Sequence, residues 1–115
     1  MEGIKTMKYL SRPEELVLLT IWKMKEETYG VIIRKHLSEM TGKYWSIGSV
    51  YVPLDRLEAK GCLTSYLANP TPERGGKAKR YYRITEAGLE RLREIQKVYA
   101  AFWDDIPDLS SERTT

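Results

Sequence analysis

The stretch Ser46–Gly61, SIGSVYVPLDRLEAKG, carries the pattern on which the fold turns. Ile47, Val50, Leu54 and Leu57 recur at the three- and four-residue spacing of one helical face. That spacing predicts a helix that buries a narrow apolar stripe and stops at Gly61. Its other faces would carry Ser46, Ser49, Val52, Pro53, Arg56 and Lys60, a mixture of small groups, hydroxyls and cations. Such a helix suits a nucleic-acid groove, because small residues permit close approach and a helix N-terminus attracts phosphate. The plainer alternative is a solvated amphipathic scaffold helix. Pro53 complicates the path: with Ser46 as N-cap it lies in the helix interior, where proline costs ~3 kcal/mol. The expectation is a bent helix, or one that starts late with Ser49 as its cap.

Upstream, Ser11, Pro13 and Glu14 form a helix entry with a capping box and a proline in the first turn. Leu16, Val17, Leu18, Leu19, Ile21, Trp22 and Met24 follow and are apolar on more than one side, so this helix should be largely buried. Glu26 and Glu27 interrupt it. Thr28 can cap a second helix from Tyr29, with Ile33, Leu37 and Met40 on its inner face and Gly42 at its end. Three short helices joined by tight turns match a helix-turn-helix.

Downstream of Gly61 the period changes to two. Leu63, Ser65 and Leu67 alternate with Cys62, Thr64 and Tyr66, and Arg80–Ile84 returns as a second strand after a turn rich in proline and glycine. Between Thr71 and Arg83 the cations Arg74, Lys77, Lys79, Arg80 and Arg83 meet the single anion Glu73, a basic patch on a chain whose formal net charge is only +3. A hairpin with a basic tip, next to a candidate reading helix, is the wing of a winged helix. Thr85 can cap a last helix in which Leu92, Ile95, Tyr99, Phe102 and Ile106 repeat every 3.5 residues on average, a seam for a partner helix or for the first helix of the same subunit. Pro107 should end it.

The fold class is therefore mainly α with a small β-hairpin: a winged helix-turn-helix plus a C-terminal dimerisation helix. Residues 1–10 form an N-terminal arm, 11–84 the DNA-binding domain, 85–106 the dimerisation helix and 107–115 a tail. A single histidine, His36, and a single cysteine, Cys62, leave no metal site, disulfide or Cys–His nucleophile, and no phosphate-binding or hydrolase motif occurs. The expectation is no enzyme and no cofactor. Without a long apolar run or a leader-like start, a cytoplasmic protein without membrane association is expected.

LVLLTIW in the first helix, Thr28-Tyr29-Gly30, GSVYVPLDRLEAKG and RGGKAKRYYRITEAG together resemble the PadR family of transcriptional regulators over about Leu10 to Leu92. One departure is Val52, which stands between Tyr51 and Pro53 where the family often has proline directly after the tyrosine. The resemblance implies a homodimeric winged-helix protein that binds double-stranded DNA, usually as a repressor. It also implies that aromatic side chains near the dimer interface, here Trp22, Tyr99, Phe102 and Trp103, are candidates for holding a small aromatic effector; simple packing in the seam is the alternative. Phosphate contacts are expected from Arg74, Lys77, Lys79 and Arg80, with Gly75 and Gly76 allowing close approach and Tyr29 and Lys43 in support. Base reading is expected from Ser46, Ser49, Val52 and Arg56, although Arg56 could equally hold phosphate or bridge Asp55 or Glu58. Tyr51 could pack under the wing or meet a phosphate. A winged-helix protein-interaction module that never touches DNA is the rival from another class.

Overall fold

A computed structural model of the chain describes residues 9–25, 28–68 and 78–114. Their order is α1 (Arg12–Met24), β1 (Thr28–Tyr29), α2 (Gly30–Thr41), α3 (Ile47–Ala59), β2 (Leu63–Leu67), β3 (Arg80–Ile84) and α4 (Glu86–Trp103). The strands form one antiparallel sheet in the order β1-β3-β2. It has one strand more than the expected hairpin: Thr28 does not cap α2 but pairs with Tyr82, and Tyr29 pairs with Tyr81. Two residues are too few to show a period of two, so β1 leaves no trace in the hydropathy pattern.

Local signals set most helix ends. The Ser11 hydroxyl accepts from the Glu14 N–H at 3.2 Å, and Glu14 Oε1 accepts from the Ser11 N–H at 2.7 Å, completing the capping box. The Ser46 hydroxyl accepts from the Ser49 N–H at 3.1 Å, so α3 starts at Ile47 and not late. At its other end Gly61, at φ +78°, lets the Gly61 and Cys62 N–H groups bond back to the Glu58 and Leu57 carbonyls. Thr85 caps α4 by accepting from the Gly88 N–H. This helix ends at Trp103, before Pro107, so Ile106 lies beyond it.

The core joins Val17, Leu18 and Ile21 of α1, Ile33 and Leu37 of α2, Val50, Leu54 and Leu57 of α3, Leu63, Tyr82 and Leu92. Leu10 is buried with them, while residues 1–8 of the expected arm lie outside the described residues. Three further expectations fail at element ends and at the proline. Met40 and Ile47, in the last and first turns of their helices, are 62% exposed, with no element among the described residues covering them. Pro53 is buried, extending the apolar stripe of α3, so its ring supplies packing that offsets the hydrogen bond it cannot donate. His36 is half-buried on α2, its Nε2 buried.

A charged pair ties the two ends of this core together. Glu14, only 2% exposed, accepts from the Lys60 ammonium at 2.7 Å, linking the start of α1 to the end of α3. Burial alone would raise the Glu14 carboxyl. The Lys60 ammonium and the Ser11 N–H and hydroxyl outweigh that and hold it below its ordinary value.

Candidate nucleic-acid interface

The exposed side of α3 is built around its capped start. Ser46, Ile47, Gly48, Ser49, Tyr51, Val52, Asp55 and Arg56 all face solvent to some degree. Both serine hydroxyls are already engaged: that of Ser46 in the cap, that of Ser49 donating to the Ser46 carbonyl at 2.7 Å. Tyr51 leans on the start of α2, where a methyl group at Gly30 would collide with the Tyr51 hydroxyl. The Thr28-Tyr29-Gly30 motif thus has a physical reason, since glycine is the residue that leaves room for this ring. Tyr82, buried behind it, has its phenol pushed up to about 12, chiefly by burial and secondly by the nearby Tyr51.

The sheet adds a second surface. Its register puts Tyr29, Tyr81 and Tyr66 in a row across the face turned away from the core residue Tyr82. Tyr29 meets Tyr81 edge-on at 5.5 Å, Tyr81 stacks on Tyr66 at 5.7 Å, and the Lys79 ammonium sits 4.0 Å above the Tyr29 ring. Lys79, Tyr29, Gly30 and Tyr51 therefore form a continuous run from the wing to the second turn of α3. Arg80 alternates to the other face, where it donates to the Ser65 hydroxyl at 2.9 Å. That hydroxyl lies 2.8 and 2.9 Å from the Glu58 carboxylate oxygens. Arg80 thus links the wing to α3, a role the sequence alone does not reveal because it depends on strand register. Arg74, Gly75, Gly76 and Lys77 lie outside the described residues.

Lys43 is exposed in the turn before α3, beside Tyr44, whose ring lies 6.0 Å from the Arg34 guanidinium. Of the proposed seam, Leu92 is buried and Ile95 packs on the core of its own subunit. Tyr99 donates to Glu15 Oε2 at 2.7 Å, so this half of α4 does fold back on α1. Acceptance by that carboxylate raises the Tyr99 phenol. Val98 just before it and Phe102, Trp103 and Ile106 beyond it are exposed, as are Leu19 and Trp22 on α1. Trp22 carries the Lys25 ammonium 5.3 Å from its ring. Among the described residues no cluster of histidine, cysteine or carboxylates could hold a metal, and no helix is long and apolar enough to cross a membrane.

A helix-turn-helix followed by a basic wing is the architecture of a DNA-binding regulator. The model of the PadR-like family of transcriptional regulators matches residues 17–94, more than half of the chain. The chain belongs to this family and is a non-catalytic DNA-binding transcriptional regulator. An uncharacterized protein from Lysinibacillus sphaericus is 33% identical over 79 residues, covering 67% of this chain and 70% of that one. Among solved structures, a PadR-family regulator from Eggerthella lenta matches at 31% identity and TM-score 0.65, over 85% of this chain and 83% of its own. A PadR-like regulator from Bacillus cereus matches at 26% and 0.68, over 87% and 92%.

Proposed function

We propose that the protein is a homodimeric repressor that binds a specific double-stranded operator with the start of α3 in the major groove and the wing on the flanking backbone. The observation that carries this reading is the continuous run from Lys79 through Tyr29 and Gly30 to Tyr51, which joins a cation to the exposed front of α3. Lys79, with its charge set over an aromatic face, is preorganised for a phosphate oxygen, and Lys43 flanks the other end of the helix start. Arg80 acts mainly by holding the wing against α3 through Ser65 and Glu58. Val52 and Arg56 are exposed on α3 and would face a groove, while Ser46 and Ser49 serve the helix start. The wing-tip residues Arg74, Gly75, Gly76 and Lys77 would add phosphate contacts.

The dimer is supported by the uncovered apolar end of α4, with Phe102 74% and Trp103 56% exposed, alongside Leu19 and Trp22 of α1. Between two such ends Trp22, Tyr99, Phe102 and Trp103 would line a space for a planar aromatic effector whose binding releases the DNA. Action on DNA makes the cytoplasm the expected compartment.

The test is a titration of the full chain against DNA from upstream of its own gene, at two salt concentrations, with random duplex as competitor. Preferential binding to the upstream DNA supports the reading, and equal affinity for both duplexes overturns it. Lys79→Ala should weaken binding to every duplex and lower the salt slope by about one.

A further inference from the structure

The outward side of the first two turns of α3 mixes hydroxyls with apolar groups. The Ser46 hydroxyl accepts from the Ser49 N–H, the Ser49 hydroxyl donates to the Ser46 carbonyl, and Tyr51 is turned onto Gly30. What remains at the front is Ile47, 62% exposed, Val52, 48% exposed, and Gly48 between them. Neither apolar side chain serves the core, whose α3 members are Val50, Leu54 and Leu57. Gly48 is as unusual: a Cβ there would meet nothing within 4 Å, so no packing among the described residues calls for glycine, although glycine is a poorer helix former than alanine.

These two observations have one chemical reading. The major-groove edge of a base pair offers donors, acceptors and a single apolar group, the C5-methyl of thymine. A helix start that presents branched aliphatic groups and bare backbone can distinguish bases there through that methyl, beside whatever its hydroxyls contribute. A side chain as short as valine reaches a base edge only if the helix backbone comes close, which a residue without a side chain at position 48 allows. We propose that Ile47 and Val52 read thymine methyl groups in each operator half-site, with Gly48 as the point of closest approach. The inference rests on the sequence-specific DNA binding proposed above and goes beyond it by naming the feature that is read.

The experiment uses the full chain and a duplex enriched by it from a random pool. Each thymine of that duplex is then replaced in turn by deoxyuridine, which removes the methyl and keeps the base pair. Loss of a methyl contact should weaken binding by about fourfold at the positions read, the effect of one buried methyl-sized group. Ile47→Ala should abolish the sensitivity at one position and Val52→Ala at another, with unchanged thermal melts because both side chains are exposed. If the enriched duplex outcompetes random DNA but no deoxyuridine matters, or the variants keep the same sensitivity, thymine reading is overturned while specific binding stands. If no duplex outcompetes random DNA, both fall together.

Discussion

Gly30 and Gly88 each lie against a neighbour that leaves no room for a methyl group, but the neighbours differ in what they can yield. At Gly88 the obstacle is the Cys62 backbone carbonyl, fixed between α3 and β2, with the Ile84 side chain beside it. At Gly30 it is the tip of Tyr51, a ring already 37% exposed and able to swing outward. Gly88→Ala should therefore cost about 1–3 kcal/mol of stability, as forced overpacking does, while Gly30→Ala should cost less and instead weaken DNA binding by displacing Tyr51. Urea melts and duplex titrations of the two variants distinguish these outcomes. Glu14 gives a residue-scale prediction in pH. Its carboxyl lies below the ordinary 4.5 in the fold, so its contribution is present above 4.5 and is lost as pH falls through the lowered folded value. Glu14→Gln keeps the capping geometry and removes the charge. It should cost about 1.5 kcal/mol at pH 7, with Lys60 35% exposed and partly solvated, and the two proteins' stabilities should converge as the pH falls below 4.5. Unfolding curves at pH 7, 4 and 3 measure this. The capping half of Glu14 is legible in the sequence because its partner is three residues away; the Lys60 half is not, because 46 residues separate the pair.

At the scale of the element, α3 shows why some of the candidate site could be read from the sequence and some could not. Val50, Leu54 and Leu57 obey the helical period and are buried, and Ser46 acts as the cap its residue type favours. Ile47 satisfies the same period and is exposed, since a period describes direction around the helix and not whether anything stands opposite its first turn. Pro53 points the other way: its residue type argued against a helix interior, yet its apolar ring is worth burying at that angle. The engagement of Arg80 with Ser65 and Glu58 depends on register, which a turn of unknown geometry leaves open. Gly48 yields a prediction that separates folding from binding. Gly48→Ala should raise stability by some fraction of the ~1 kcal/mol that separates the two residues in a helix, since there is space for the methyl, and should weaken operator binding if the backbone meets DNA there. A thermal melt and a titration on the same sample check both halves, and a variant that is more stable with undiminished affinity would show that nothing approaches position 48.

For the whole molecule, the decisive quantity is whether two reading helices are held together. One α3 and one wing present few base and phosphate contacts, and a two-fold operator is read tightly only when binding of the second half-site becomes intramolecular. The exposed end of α4 is where such a link would form: Leu92 and Ile95 pack on the same subunit and Tyr99 is held by Glu15 while partly exposed, whereas Phe102 and Trp103 point into solvent. A charge at both positions would have to be desolvated in any apolar interface there, so Phe102→Glu with Trp103→Glu should leave each subunit folded and abolish pairing. Light scattering should move from twice the 13.4 kDa chain mass to once that mass. Operator affinity should fall by on the order of 10²-fold or more, the avidity lost when two sites no longer share one body. Binding to an isolated half-site should hardly change, because the proposed reading surface is on α3 and the wing. Equal loss on both duplexes would mean that the substitutions harmed the subunit itself, and an unchanged mass would move the interface elsewhere, with the apolar faces of Leu19 and Trp22 on α1 the next surface to charge.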